Sequence, residues 1–196
     1  MGTRNLTCVI ENGKYKAAKY CQWDGYLSSK GQNLVDFLVA TYKVKMFTKR
    51  LNRAVELSGG EVRSRWEEHG ADKSGFAGHD AQQSFQLQNA HLDLGGAEFL
   101  QYIQETKNPE FAPSALSFAA DSLFCEWCYV LDLDANKIEI YKGFNQEPLS
   151  EDERFFFLQK HGVKYYPVKF LVSFDIDKKL KKKWKKWFKA YQKKKD

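Results

Sequence analysis

The stretch "FCEWCYVLDLDANKIEIYKGF", residues 124–144, decides the fold. Apolar residues alternate through it. Trp127, Tyr129, Leu131 and Leu133 share one face of an extended chain, a turn runs through Asp134-Ala135-Asn136, and Ile138 and Ile140 follow in the returning strand. A period of two over this length marks an antiparallel pair with a buried face. Residues 2–23 hold a second pair, because Asn12-Gly13 between two alternating runs supplies what a two-residue type I′ turn requires. Unbroken pairing outward from that turn sets Cys8 opposite Ala17, Leu6 opposite Lys19 and Arg4 opposite Cys21. It gathers Arg4, Leu6, Cys8, Ile10, Tyr15, Ala17, Cys21 and Trp23 on one core face, where Lys19 is the misfit.

Between the pairs, residues 30–57 predict a helix on the stripe Leu34, Phe37, Leu38, Val44, Phe47, Leu51 and Val55, ended by Ser58-Gly59-Gly60. Residues 58–96 are polar and glycine-punctuated, contain His69, His79 and His91, and read as a long loop. A helix over 97–107 stops before Pro109, and "SALSFAADSL" forms a short further segment. After the central pair, Ser150 to Glu153 spells a capping box that predicts a helix through "RFFFLQKH" to Gly162, and "YYPVKFLVSFDI" reads as the last strand. The expectation is an α+β domain over residues 1–177, with a mainly antiparallel sheet of about five strands packed by helices, followed by a basic amphipathic helix over 178–196.

Charge divides the chain at the same place. The formal net charge is +6, but Lys178 to Asp196 alone hold eleven lysines and one acid, which leaves residues 1–177 mildly acidic. Leu180, Trp184, Trp187, Phe188 and Tyr191 fall at helical spacing behind a candidate N-cap, Asp177, with lysines on the remaining arc. Such a helix either docks its aromatic stripe on the domain or presents Lys182, Lys183, Lys185, Lys186 and Trp184 to nucleic acid or an anionic membrane. No apolar run reaches the roughly 20 residues needed to span a bilayer, and the N-terminus lacks the zones of a signal peptide. A soluble cytoplasmic protein is expected, with free thiols at Cys8, Cys21, Cys125 and Cys128.

Arg4 is the informative residue of the first hairpin. A guanidinium on a buried face needs a carboxylate or an anionic ligand. Cys21, Trp23 and Asp24 lie across the pair, so Arg4, Cys21, Trp23 and Asp24 are candidate ligand-binding residues, with a structural Arg4–Asp24 bond as the alternative. Cys125-Glu126-Trp127-Cys128 is a C-x-x-C motif inside a strand, where residues three apart project to opposite faces, so the thiols diverge. Asp132, Asp134 and Asn136 lack the glycine and distal glutamate of a calcium loop. Phosphate-loop, dinucleotide and nucleophile-elbow motifs are absent. Neither catalytic residues, nor a metal, nor a cofactor is assigned.

"MGTRNLTCVIENGKYKAAKYCQWDGY" and "EWCYVLDLDANKIEIYKGF" resemble an uncharacterised family of small proteins associated with phages, prophages and some microbial genomes. The resemblance covers about the first forty residues and residues 124–144, and carries no established activity. It implies a cytosolic accessory or counter-defence protein that inhibits a host factor. The functional expectation is a non-enzymatic binding protein that sequesters a host protein or a small anionic ligand. The alternatives are a small hydrolase of amide or phosphoester bonds, using Cys8 or Cys21 with a histidine or metal of the 69–91 segment, and nucleic-acid binding through the basic helix.

Overall fold

Both hairpins form and lie side by side in one sheet. In the computed structural model, which describes residues 2–194, the elements in chain order are β1 (Asn5–Glu11), β2 (Lys14–Cys21), α1 (Gln32–Ala40), α2 (Val44–Leu51), β3 (Val55–Glu56), α3 (Gly59–Glu68), α4 (His79–Asn89), α5 (Gly96–Glu105), β4 (Glu110–Phe111), β5 (Trp127–Asp132), β6 (Lys137–Lys142), β7 (Lys169–Asp175) and α6 (Leu180–Gln192). The chain is α+β. Its main sheet has the order β2-β1-β5-β6-β7, with β1 and β5 parallel and the other neighbours antiparallel. The chain divides into two compact units: the first takes the residues up to Tyr42, Gly95–Ala97 and those from Ala115 onward, and the second takes Lys43–Leu94 and Glu98–Ser114. No described helix is long and apolar enough to cross a membrane.

In the first unit, β1 and β5 are flanked by strands on both sides, and every residue of both is buried. Alternation divides their side chains between two cores. On one face Leu6, Cys8, Ile10, Cys128, Val130 and Tyr141 pack under Leu149, Phe155, Val168 and a 3-10 turn at Leu116–Ala120. On the other face α6 packs against α1 and β7. There the Trp184 indole donates to Gln32 Oε1 at 2.9 Å, and Phe174 meets Trp184 and Trp187 edge-on. Gly31 lies so close to the Trp184 and Tyr129 rings that a Cβ would collide with Trp184. The Tyr129 hydroxyl, sealed beneath, donates to the Gly25 carbonyl at 2.8 Å.

The first hairpin departs from the expected register. Asn12 and Gly13 both have positive φ, as the type I′ turn demands. Ile10 pairs with Tyr15 but Val9 pairs with Ala17, so Lys16 is an extra residue on β2. Beyond this bulge the pairing slips by one: Cys8 faces Ala18, Leu6 faces Tyr20 and Asn5 faces Cys21. Ala17, Lys19 and Cys21 thereby move to the face opposite Leu6 and Cys8, and Tyr20 takes their place, edge-on to Phe118.

Three further expectations are corrected. The helix expected over 30–57 is broken at residues 41–43, where Lys43 turns extended between α1 and α2. The segment expected to loop, 58–96, instead carries α3, α4 and the start of α5. In the second unit, a Ser58–Glu61 capping box starts α3, and Trp66 stacks on Phe85 at 3.7 Å over Leu57 and Leu92, a small core that a polar composition conceals. The helix expected at 150–162 does not form. Glu153 does accept from the Ser150 N–H at 2.9 Å, but only a 3-10 turn at Phe156–Leu158 follows. Three consecutive phenylalanines are poor helix formers, and here Phe155 is buried while Phe157 is exposed.

Asp177 also sits differently from the expected N-cap: α6 begins after Lys179, and the Asp177 carboxylate accepts from the Lys179 N–H at 2.7 Å. Trp184, grouped with the lysines as a candidate surface residue, is fully buried. Trp184→Ala is expected to cost about 3–5 kcal/mol of stability, and Trp187→Ala distinctly less because Trp187 is only half-buried. Urea unfolding of the two variants measures the difference.

Candidate functional site

The carboxyl ends of the parallel strands β1 and β5 open into a hollow of about 760 Å³, lined by Ile10, Gly13, Tyr15, Asp132, Asp134, Glu139, Tyr141, Asp152, Glu153, Arg154, Phe157 and Phe170. Alternation explains the wall: Ile10, Asp132, Glu139 and Tyr141 all point to the sheet face covered by residues 149–158. The failed helix explains the roof, since an irregular course at 150–158 can turn Arg154 inward and bury Phe155 at once.

Arg154 is the centre of the site. Its Nη2 donates to Asp132 Oδ2 at 2.6 Å and to Glu139 Oε1 at 2.9 Å, and its Nε donates to Glu139 Oε2 at 2.7 Å and to the Tyr141 hydroxyl at 3.2 Å. The remaining Asp132 oxygen accepts from the Ala135 N–H at 2.8 Å, and the Tyr141 hydroxyl donates to Glu139 at 2.7 Å. Burial works against the guanidinium charge, but the Glu139 and Asp132 carboxylates outweigh it, and its pKa is raised. Burial also pushes the Tyr15 and Tyr141 phenols far up, Tyr141 further because Glu139 stands beside it. Both phenols are neutral at any physiological pH.

Among the described residues the rim carboxylates Asp134, Asp152 and Glu153 form no ion pair, though Arg154 attracts Asp134 and Glu153 acts on Lys169 at longer range. Asp134 accepts from the Asn12 and Gly13 N–H groups, each at 2.8 Å, so the loop of the second hairpin caps the turn of the first, and these bonds hold its carboxyl below the usual range. Asp152 is lowered by its bond to Ser150, and Glu153 accepts from both the Ser150 backbone and hydroxyl. Five carboxylates and one guanidinium thus line the hollow, with four aromatic rings between them. Among the described residues, no group of three or more His, Cys, Asp or Glu side chains is arranged to hold a metal ion.

Of the residues expected to form a ligand site, Cys21 and Trp23 are linked by a hydrogen bond, while Arg4 is engaged by other groups. The Arg4 N–H donates to Glu126 Oε1 at 3.2 Å, its Nε lies 3.9 Å from the same oxygen, and its guanidinium sits 4.6 Å above the Phe124 ring. Glu126 takes the part expected of Asp24, and no Arg4–Asp24 ion pair exists among the described residues. Trp23 is exposed and packs on Gly2. Asp24 has φ 56° and offers its carbonyl to Ser29 and Lys30. The Cys21 thiol donates to the Trp23 carbonyl at 3.5 Å and abuts Gly95. The strand end is pinned instead by Asn5, whose amide donates to the Cys21 and Trp23 carbonyls.

The other thiols behave differently from expectation. Cys125 and Cys128 share one apolar cluster with Cys8, because β5 begins only at Trp127 and Cys125 precedes its alternation. Burial pushes the Cys125 and Cys128 thiols well up, the state of inert structural cysteines.

In the second unit His69 and His91 join a polar chain, while His79 is exposed at the start of α4. His69 Nδ1 contacts Ser84 Oγ at 2.8 Å and its Nε2 contacts Asn89 Nδ2 at 3.3 Å, so the ring bridges the serine and the amide. Arg65 grips Glu110 through two bonds of 2.6 and 2.9 Å, and His91 adds a third contact at 3.2 Å. Arg65 holds the Glu110 carboxyl below its usual range, so this contact stabilises the unit above that range and is lost as the pH falls through the lowered value.

No protein-family model, curated protein or solved structure matches this chain. Arg154→Met leaves Asp132 and Glu139 buried without their cation and is expected to cost about 3–5 kcal/mol; neutralising both acids in the same chain, as Asp132→Asn and Glu139→Gln, is expected to restore much of that loss. Urea unfolding of the three chains provides the check.

Proposed function

We propose that the protein is a non-catalytic binding protein whose ligand is an organic cation, an amine or guanidine, seated in the hollow at the ends of β1 and β5. The observation that carries this reading is the lining itself: carboxylates outnumber cations by four, and the aromatic walls are Tyr15, Tyr141, Phe157 and Phe170. A cation gains from both, by Coulomb attraction to the rim and by approach to ring faces. The volume falls in the range of small-ligand pockets. An organic cation suits the site better than a metal ion because the carboxylates are spread round the mouth, each held by its own backbone or hydroxyl donors.

The binding reading is supported by the inner carboxylates, both of which are committed to Arg154. The anionic ligand expected around Arg4 finds less support, since that guanidinium is engaged by Glu126 and Phe124. An arginine or lysine side chain projecting from a partner presents the same groups as a free amine, so capture of a host protein belongs to the same reading.

Calorimetric titration with butylguanidinium, spermidine and an arginine-containing peptide, set against inorganic phosphate and glutarate, separates the cases. The cations are expected to bind and the anions not. Asp134→Asn and Glu153→Gln, which keep an acceptor but remove charge, are each expected to weaken binding about fivefold, equivalent to roughly 1 kcal/mol. Binding of the anions with no response to the cations would overturn the proposal.

A further inference from the structure

The outer face of α6 is a second charged surface, remote in chemistry from the acidic hollow. Successive residues of a helix advance by 100°, and Lys182, Lys186, Lys189 and Lys193 fall within one narrow stripe opposite the side formed by Leu180, Trp184, Trp187 and Tyr191. All four lysines are exposed. The neighbouring lysines that flank the docked side have partners: Lys181 pairs with Asp36 at 2.6 Å, and Lys183 pairs with Asp177 at 2.9 Å and Asp175 at 3.3 Å. The four on the stripe make no ion pair among the described residues.

This arrangement is locally unfavourable. Lys182 and Lys186, like Lys189 and Lys193, stand four residues apart, where like charges repel by about 0.2–0.5 kcal/mol per pair. Lys182 also lies in the first turn, where the helix dipole disfavours a cation. Docking through the aromatic side offsets the cost without relieving it. A polyanion laid along the stripe would relieve it.

We infer that the Lys182–Lys186–Lys189–Lys193 stripe of α6 binds the phosphate backbone of double-stranded nucleic acid without regard to sequence. The aromatic residues decide among polyanions. An interfacial helix inserts its apolar face into the lipid, and single-strand binders stack bases on exposed rings. In α6, Leu180 and Trp184 are fully buried, and the half-buried Phe188 stacks on Trp184 and Trp187 on Tyr191, so neither use is open while the helix is docked. What remains is a lysine row about 16 Å long, from the 1.5 Å rise per residue. It is long enough to reach across a major groove about 12 Å wide and meet phosphates on both edges.

The test is fluorescence anisotropy of the full chain with a labelled mixed-sequence DNA duplex of about 20 base pairs. Four phosphate contacts give a slope of log K against log salt near −3.6, a loss of roughly a hundredfold between 50 and 200 mM salt. Replacing Lys182, Lys186, Lys189 and Lys193 together by glutamine is expected to abolish that salt-dependent binding while leaving the melting temperature unchanged or raised at low salt. The corresponding four arginines are expected to restore it. No duplex binding by the wild-type chain at 50 mM salt, or an unchanged slope in the glutamine variant, would overturn the inference. So would capture by phosphatidylserine vesicles without capture by the duplex.

Discussion

The guanidinium of Arg154, clamped between Asp132 and Glu139, is the constraint on which one side of the sheet depends. It ties the carboxyl end of β5 and the middle of β6, which are neighbours in the sheet, to the irregular segment that covers them and contributes no strand to that sheet. A cation and two carboxylates at that depth are tolerable only together, since any one left alone would face a desolvation penalty of several kcal/mol. Once Arg154 is fixed, Phe155 must enter the core and Phe157 must leave it. The segment that carries them takes only a 3-10 turn at Phe156–Leu158, and the hollow lies beneath it.

The opposite face is closed by different physics. There Trp184 supplies a large apolar surface and one indole donor, satisfied by Gln32, and Gly31 permits the approach. Docking of α6 therefore uses up the aromatic stripe and sets the lysines outward. The result is a sheet with an acid-lined hollow on one face and a basic ridge on the helix that covers the other. The two faces of one sheet thus carry fields of opposite sign, which is the physical basis of the two proposals.

Much of this fold was legible in the residues. The alternation of 127–133 and the Asn12-Gly13 turn specify two hairpins by local rules, and the amphipathic period of 180–191 specifies α6 and its buried side. The parallel pairing of β1 with β5 was not legible, because register between distant strands depends on packing that no local pattern encodes. The bulge at Lys16 moved three residues of β2 to the other face, and nothing in "KYKAAKYC" announces it. Only half of the capping box at Ser150 forms: the Glu153 carboxylate accepts from the Ser150 N–H, but the Glu153 N–H turns to the Ser150 carbonyl instead of its hydroxyl, and no α-helix follows. Arg4 was correctly read as a cation in need of a carboxylate, but the partner lies 122 residues away at Glu126, beyond any local inference. The hollow is hidden for the same reason: its acids come from three separate segments, Asp132 with Asp134, Glu139, and Asp152 with Glu153, and no local pattern brings the three together.

The central claim is that a cation binds between the carboxylate rim and the aromatic walls of the hollow. The most direct measurement is an NMR titration of the isotopically labelled chain with butylguanidinium, read at the aromatic side chains and backbone amides. The account predicts saturable shifts concentrated at Tyr15, Tyr141, Phe157 and Phe170 and at the Gly13 amide that Asp134 holds. Shifts centred elsewhere, around Arg4 and Trp23 or in the second unit, or no saturable shift at all, would contradict it.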